Sequence, residues 1–256
     1  REGSLCCVVV SADADGRPEA VRLEHSALRW AAQAWQKHMG MLPEDRVVCC
    51  SSLDSLPGVV GTWASLASGA TLLLPPAGML PGAGLRTYLQ KRHATVLVAW
   101  SGQLRVLGME GASSLASVRL VWAVGEPCRA ELSARWGKGR RFVQAYSRAE
   151  VPAACVFDAV AGDAVAPGQK LPLGSALPGC HLHVLNDRLE HLAEGENGTL
   201  FIGGAGLACG QLGEPGDVQG RFVQVEGLGR IFRTGESARL GPGGAVLLCD
   251  RGMPGT

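Results

Sequence analysis

One segment near the start of the sequence combines the residue types of a ligand-binding loop. An apolar run ends at Val10, and SADADGRPEAV follows at residues 11–21, with Gly16 to permit a turn. Its oxygen-bearing side chains are Ser11, Asp13, Asp15 and Glu19. Carboxylates are ligands for hard cations, so a cation site and a solvated polar loop are both open, and the solvated loop is favoured. No G-x-S-x-G context surrounds Ser11, which argues against a nucleophilic serine.

Histidines form a second candidate site. His181 and His183 share one face of a strand-like run and would bind zinc together with Asp187. An exposed strand pair is the favoured interpretation, because no further ligand has a suitable spacing. His25 either borders a cleft or forms a capping or core hydrogen bond.

The nine cysteines show no C-x-x-C spacing, and two adjacent pairs lie in apolar, strand-like runs. Neighbouring strand residues point to opposite faces, so neither pair grips one metal. Free thiols are therefore expected, which fits a reducing compartment such as the cytoplasm or an organelle interior.

Composition excludes several classes of protein. The chain has 256 residues, a net charge of +1 and 18% charged residues, which leaves no electrostatic signature of nucleic-acid binding. The uncharged stretch 55–85 contains four prolines and is broken too often for a membrane span. The chain begins with Arg and no signal peptide follows, so we expect a fragment of a longer polypeptide.

Strand-like and helix-like segments alternate through the first two-thirds of the chain, from the strand at residues 6–10 to the helix at 129–136. This order predicts an α/β fold with a mostly parallel sheet flanked by helices. After residue 168 short strands separated by Gly-rich turns predict a smaller, β-rich, barrel-like part. The predicted subdomains are 1–167 and 168–256.

Several segments in the first part resemble motifs of the adenylate-forming (AMP-binding) superfamily, above all the amino-acid adenylation domains of nonribosomal peptide synthetases. Residues 11–21 occupy the place of the glycine-rich phosphate loop TSG-[ST]-TG-x-PKG-V. The matching segments that follow are WASLASGATLLLPP (63–76), VRL through GEP (118–127) and QAYSRAE (144–150).

The second part resembles the same family. Its matching segments are LGSALPG (173–179), GTLFIGGAGLA (198–208), FRTGE (232–236) and CDR (249–251). These motifs, which follow one another in family order, imply the fold of acyl-CoA synthetases and adenylation domains, in a form that lacks the N-terminal portion and the C-terminal lid domain.

The resemblance implies ATP or AMP and Mg²⁺ as ligands, and acyl-adenylate formation as the reaction. By position, the nucleotide-binding residues would be Ser11, Gly16, Tyr146, Glu236 and Arg251. Glu150 would bind Mg²⁺. Asp54 lies near the place of the carboxylate that pairs with an amino-acid substrate, two residues out of register.

The phosphate loop departs from the family pattern most. Glu19 replaces a lysine, Asp13 a glycine and Asp15 a threonine, so three carboxylates would face a polyphosphate. At an effective dielectric of about 20, each like-charge pair at about 4 Å costs on the order of 4 kcal/mol. Ala149 replaces a threonine that contacts the α-phosphate, and Met253 replaces the hinge aspartate.

The leading hypothesis is therefore a degenerate, catalytically inactive adenylation-like domain with a structural or regulatory role, a pseudoenzyme with or without a residual nucleotide pocket. Its expected partners are other domains of the same polypeptide or a larger assembly. The alternative is a functional ATP-dependent domain that activates an amino or carboxylic acid. A nucleotide sensor, which binds ATP or AMP without turnover, is a third possibility.

Overall fold

A computed structural model describes residues 1–12, 18–108, 113–159, 165–166, 168–212 and 220–249. The chain divides into two compact units. We call Ala31–Tyr146 with Val156–Leu171 the α/β unit. The β unit consists of Arg1–Trp30, Ser147–Cys155 and Pro172–Thr256. The subdomain boundary near residue 168 stays a prediction.

The secondary structure alternates first and then becomes all-β. Up to the last helix the elements are β1 (Leu5–Ala12), β2 (Pro18–Glu24), α1 (His25–Met39), β3 (Arg46–Cys49), α2 (Leu56–Ala67), β4 (Thr71–Leu73), α3 (Ala83–Lys91), β5 (Val96–Trp100), α4 (Ser101–Leu107), β6 (Leu120–Val124) and α5 (Ala130–Trp136). The later strands are β7 (Arg141–Arg148), β8 (Val151–Ala159), β9 (Ser175–Ala176), β10 (Cys180–Leu185), β11 (Asn197–Gly204), β12 (Gly210–Gln211), β13 (Phe222–Val225), β14 (Gly229–Leu240) and β15 (Val246–Leu248), with a 3₁₀ turn at Pro242–Gly244.

The α/β unit contains the predicted parallel sheet. Its strands lie in the order β4-β3-β5-β6-β7, and every neighbouring pair is parallel. Strands β5 and β6 are buried almost throughout, as continuous apolar runs require in a covered sheet. Ser55 begins α2 by accepting a hydrogen bond from the Gly58 amide at 3.3 Å. The predicted α/β class is confirmed.

The β unit is built from antiparallel strands. Strand β1 pairs with β2, and β12 pairs with the other edge of β2. A second sheet has the order β10-β11-β14-β13, with β15 also paired to β14. Leu185, Phe201 and Ile231 form its small core. Strand β2 lies in the segment that resembles a phosphate loop, so part of that segment is one arm of a hairpin.

Two sequence expectations concern chemistry and the membrane. All nine cysteines lie among the described residues, and all are free thiols. Within the described part of the chain, no helix combines the length and the apolar character needed to cross a membrane.

Candidate functional site

The hairpin of β1 and β2 brings a carboxylate into the interior of the β unit. Ser11 in β1 is the ladder partner of Glu19 in β2. Strand alternation places Glu19 on the same face as Val21 and Leu23, and all three residues are buried. The residue that stands in place of the family's loop lysine is therefore an inward-facing glutamate and not a solvated one.

Arg221 binds this buried carboxylate. It lies directly before β13, and its Nη2 donates a hydrogen bond of 2.6 Å to Glu19 Oε2. Its guanidinium carbon lies 5.7 Å from the centre of the Phe232 ring, and its backbone oxygen accepts a hydrogen bond from the Arg233 amide at 2.6 Å. Contacts with Phe232 and Arg233 of β14 therefore hold Arg221 in place in addition to its bond with the carboxylate.

Glu150 lies in the short connection between β7 and β8, with a side chain only 2% exposed. Its backbone oxygen accepts a hydrogen bond from the Ala208 amide at 2.8 Å, which fixes the connection. Arg221 Nη2 lies 3.3 Å from Glu150 Oε1, and Arg148 Nε lies 3.8 Å from Oε2. Two guanidinium groups therefore flank the carboxylate that the resemblance assigns to Mg²⁺.

Glu236 in β14 completes the arrangement. Arg148 Nη1 lies 3.9 Å from Glu236 Oε1. We call the five side chains the ion cluster: Glu19, Glu150, Glu236, Arg148 and Arg221. Three carboxylates and two guanidinium groups give it a formal charge of −1 when all are ionised.

The ion cluster is incompletely hydrogen-bonded. Glu150 Oε1 is buried and has no hydrogen-bond partner among the described residues, because the contact with Arg221 lacks hydrogen-bond geometry. Glu19 Oε1 and Arg221 Nε are likewise buried without partners there. Burial raises the pKa of Glu150, and Glu19 adds to the rise, while Arg148, the Glu150 amide and Arg221 oppose it. Such partly satisfied groups are exceptions in folded proteins and call for an explanation.

The residues of the ion cluster do not fit a Mg²⁺ ion well. Carboxylate oxygens are suitable ligands for Mg²⁺, but the positions beside Glu150 are taken by guanidinium groups. Among the described residues, no group of three or more His, Cys, Asp or Glu side chains has an arrangement that would hold a metal ion. The donor set and its neighbours thus favour internal ion pairing over cation binding.

Of the other predicted site residues, the structure describes Tyr146 and Asp54. Tyr146 is in β7, within the α/β unit, and is 5% exposed. Asp54 is exposed in the loop between β3 and α2. Asp13, Asp15, Gly16, Arg251 and Met253 lie outside the described residues, as does the side chain of Ser11.

The histidine pair has a neighbour that the sequence spacing did not indicate. The ring centres of His181 and His183 are 6.4 Å apart, and His191 lies 5.3 Å from His183. Burial lowers the pKa of His183, and the two neighbouring imidazoles lower it further. Among the described residues, the three rings are not part of a group of side chains arranged to hold a metal ion. The preference for a strand pair over zinc stays a prediction.

Sequence reasoning missed Arg221 and Arg148. Arg221 is 202 residues from Glu19, so no local pattern connects them. The available signal was indirect: a glutamate on the apolar face of β2 needs a buried cation, and an arginine before a β-strand was a candidate.

The family model described as "AMP-binding enzyme" matches residues 4–211 of this chain. The chain belongs to the AMP-binding enzyme family. Phosphinothricin tripeptide synthetase PhsC of Streptomyces viridochromogenes is 29% identical over 252 residues, which are 96% of this chain and 22% of PhsC. The match to this AMP-binding family ends before β13, so it includes Glu19 and Glu150 but neither Arg221 nor Glu236.

Solved structures show the same fold. The N-terminal subdomain of Klebsiella oxytoca NpsA, in complex with 3-hydroxybenzoyl-AMSN, superposes with a TM-score of 0.85 at 21% identity over 98% of this chain and 65% of that one. The nonribosomal peptide synthetase FmoA3 gives a TM-score of 0.88 at 22% identity, over 98% of this chain and 28% of its own. The chain therefore has the adenylation-domain fold of these synthetases.

The AMP-binding chain corresponds to only a part of its relatives. It spans less than half the length of the curated proteins that it matches first. These are multidomain synthetases or other biosynthetic proteins, so the matched region is one segment of a larger polypeptide in each.

Proposed function

We propose that this chain is an adenylation-type domain that has lost efficient acyl-adenylate formation and acts as a structural or regulatory part of a larger synthetase-like protein. The observation that carries the proposal is the position of Glu150 between two arginines. Arg221 and Arg148 lie 3.3 and 3.8 Å from its oxygens, where a catalytic domain would need room for Mg²⁺ and phosphate.

Electrostatics supports this proposal. A Mg²⁺ ion bound at about 2.1 Å from Glu150 Oε1 would lie within about 5.4 Å of Arg221 Nη2, given the 3.3 Å between these two atoms. At an effective dielectric of about 20, the repulsion between the ion and this guanidinium is on the order of 6 kcal/mol. This repulsion offsets part of the attraction between the metal and the Glu150 carboxylate, so metal binding at this oxygen is weakened as long as Arg221 stays paired with Glu19.

Glu19, which replaces the lysine of the family's phosphate loop, also argues against binding of a phosphate. A lysine at position 19 would offer a cation to a phosphate, whereas Glu19 presents a carboxylate whose charge is already paired with Arg221. The chain has in effect exchanged a contact with the ligand for an internal ion pair. By the family resemblance, Asp13 and Asp15 add two further carboxylates to the sequence of the same loop.

Any remaining nucleotide contact is proposed at the nucleoside end. There Tyr146 would pack on the base, and Glu236 with Arg251 would hold the ribose hydroxyls. Ser11 and Gly16 would border the phosphates, and Asp54 would lie nearest to an amino-acid substrate. The proposed partners are the other domains of the same polypeptide.

Substrate-dependent exchange of pyrophosphate into ATP tests the proposal on the complete protein that contains this segment. We expect exchange at background level with a panel of amino, aryl and fatty acids. Exchange clearly above background with any of them would show that the domain activates a carboxylic acid and would overturn the proposal.

A repair experiment tests whether the substitutions in the phosphate loop cause the proposed loss of nucleotide affinity. Glu19→Lys alone should leave nucleotide affinity unchanged, because the new lysine would oppose Arg221. Glu19→Lys combined with Arg221→Gln, Asp13→Gly and Asp15→Thr should raise it. Glu226→Lys, at an exposed position of the same unit, is the matched control for an added cation. Equal affinities of the repaired and control variants would contradict the assignment of the loop as the defect.

A further inference from the structure

A pocket of about 550 Å³ lies between α4 and α5 of the α/β unit and shares no residue with the ion cluster. Ser101 lies at the carboxyl end of β5, and Glu126 and Pro127 follow the carboxyl end of β6. Loops at the carboxyl ends of parallel strands are where α/β folds bind ligands. The pocket is large enough for a small organic molecule.

The charge of this pocket is unusual for the chain. Its described lining contains four cationic side chains, Arg105, Arg129, Arg135 and Lys170, and two carboxylates, Glu126 and Glu131. The difference is +2 in one pocket, whereas the whole chain of 256 residues carries only +1. Such a local excess attracts an anion.

The walls of the pocket are fixed by packing. Trp136 Nε1 donates a hydrogen bond of 3.1 Å to Leu104 O, and both residues are buried, so α5 is held against α4. Arg105 and Arg135 are the chain neighbours of these two anchors. The segment 169–171, which contributes Lys170 to the lining, forms a third wall. Two backbone hydrogen bonds hold it to the start of α5: Ala130 N donates to Gln169 O at 3.0 Å, and Leu171 N donates to Cys128 O at 2.8 Å.

Two of the charged side chains that line the pocket, Glu131 and Arg129, already form hydrogen bonds with the backbone of Gly168. Glu131 Oε1 accepts a hydrogen bond from the Gly168 amide at 2.5 Å, and Arg129 Nη1 donates to Gly168 O at 2.6 Å. Arg105 and Arg135 form no salt bridge with another described residue. A Cβ at Gly102 would lie 3.7 Å from Arg105 Nη2, so this guanidinium lies over the first turn of α4.

We propose that this pocket binds a small organic phosphate monoester, with Arg105 and Arg135 as the principal contacts to the phosphate. Arginine presents a planar fork of N–H donors that fits phosphate oxygens in pairs, and a dianion matches the excess of two positive charges. The half-buried Pro127 and the buried Leu132 supply apolar surface for the organic part. The site is independent of the proposed loss of adenylation.

Isothermal titration calorimetry with phenyl phosphate tests this assignment, with benzenesulfonate as a comparator of similar shape and single charge. We expect measurable binding of phenyl phosphate and at least about tenfold weaker binding of benzenesulfonate. Arg105→Gln or Arg135→Gln should each weaken binding of phenyl phosphate about tenfold, and the double variant should abolish it. Arg188→Gln, at an exposed position in the β unit, should leave the affinity unchanged.

A charge-preserving variant separates the fork geometry from simple attraction. Arg105→Lys with Arg135→Lys should retain part of the affinity, because lysine keeps the charge but cannot donate in a planar pair. Circular dichroism checks that each variant is folded. No binding to the wild type, or equal binding by the double Gln variant and Arg188→Gln, would overturn the proposal. An inorganic phosphate affinity equal to that of phenyl phosphate would overturn the role of the organic part.

Discussion

Two buried carboxylates, each 2% exposed, meet arginines in very different ways. Asp45, in the α/β unit, accepts hydrogen bonds on both oxygens: from Thr95 Oγ1 at 2.7 Å and Arg119 Nε at 2.9 Å on Oδ1, and from the Leu42 amide at 2.8 Å and Arg119 Nη2 on Oδ2. Glu150, in the β unit, has two guanidinium groups at 3.3 and 3.8 Å and one oxygen without a hydrogen-bond partner among the described residues.

The two pKa shifts have opposite signs for this reason. Burial alone would raise the pKa of Asp45, but the hydrogen bonds from Arg119, Leu42 and Thr95 outweigh it and lower the pKa. At Glu150 burial prevails over its arginines and the pKa is raised. We therefore expect the Asp45 carboxylate to stabilise the fold at neutral pH and the Glu150 carboxylate to contribute no such stabilisation.

The largest effect is expected for Asp45→Asn. The amide cannot accept all four hydrogen bonds, so the free energy of unfolding should fall by about 3 kcal/mol at pH 7, measured by urea denaturation. The stabilisation from a carboxyl with a lowered pKa is present above the pKa of the unfolded chain and is lost as the pH falls through the folded value. The deficit should therefore narrow below about pH 4.

Asp187→Asn is the matched control for that variant, because Asp187 is 95% exposed and lies 3.5 Å from Arg233. Its loss should stay below about 0.5 kcal/mol. If Asp45→Asn cost no more than this control, the contrast between complete and incomplete hydrogen bonding would have no energetic meaning.

Arg221→Met should have an intermediate effect. It removes the only hydrogen bond described for the Glu19 side chain and one of the two cations described beside Glu150, and we expect a loss of about 2 kcal/mol. Arg233→Met, which removes an arginine of β14 paired to the exposed carboxylate of Asp187, should cost less than about 1 kcal/mol. Equal losses for the two variants would place Arg221 among ordinary surface ion pairs.

The smallest effect, and one of opposite sign, is expected for Glu150→Gln. A carboxyl whose folded pKa is raised favours the folded state below the unfolded pKa and disfavours it increasingly as the pH rises through the folded value. The amide should therefore increase the free energy of unfolding by about 0.5 kcal/mol at pH 8 and have no effect near pH 4. Glu226→Gln, at an exposed position, should change neither value. A loss above about 1 kcal/mol at pH 8 would show that Glu150 stabilises the fold as Asp45 does.

The regular elements could be predicted from sequence because their signals are local. The helix expected at residues 26–38 is α1 at His25–Met39, and the apolar runs at 47–50, 71–74, 94–99 and 118–124 contain parallel strands. The run at 6–10, expected to belong to the same alternating pattern, is instead β1 of the antiparallel hairpin. Strand β8 was not predicted, because Pro152 in its second position disfavours a strand, although the structure accommodates this proline there. Strand β2 was not predicted, because its segment resembles a loop motif. The alternation of Val21 and Leu23 with Arg22 and Glu24 was the signal that indicated a strand there.

The site was only half predictable. The family resemblance indicated Glu150 and Glu236, and the excess of carboxylates in the loop segment indicated Glu19. Neither signal indicated the arginine partners, Arg148 and Arg221. Arg221 contacts both Glu19 and Glu150 because β13 pairs with β14 in a separate sheet, and no spacing in the sequence encodes that pairing.

Binding of Mg²⁺–ATP, measured by calorimetry on the complete protein, tests the central claim most directly. We expect no detectable binding by the wild type up to millimolar nucleotide, and detectable binding once Glu19→Lys and Arg221→Gln are combined with Asp13→Gly and Asp15→Thr. Micromolar affinity of the wild type, dependent on Mg²⁺ and lost in Glu150→Gln, would contradict the account, because Glu150 would then hold the metal in spite of its two arginines.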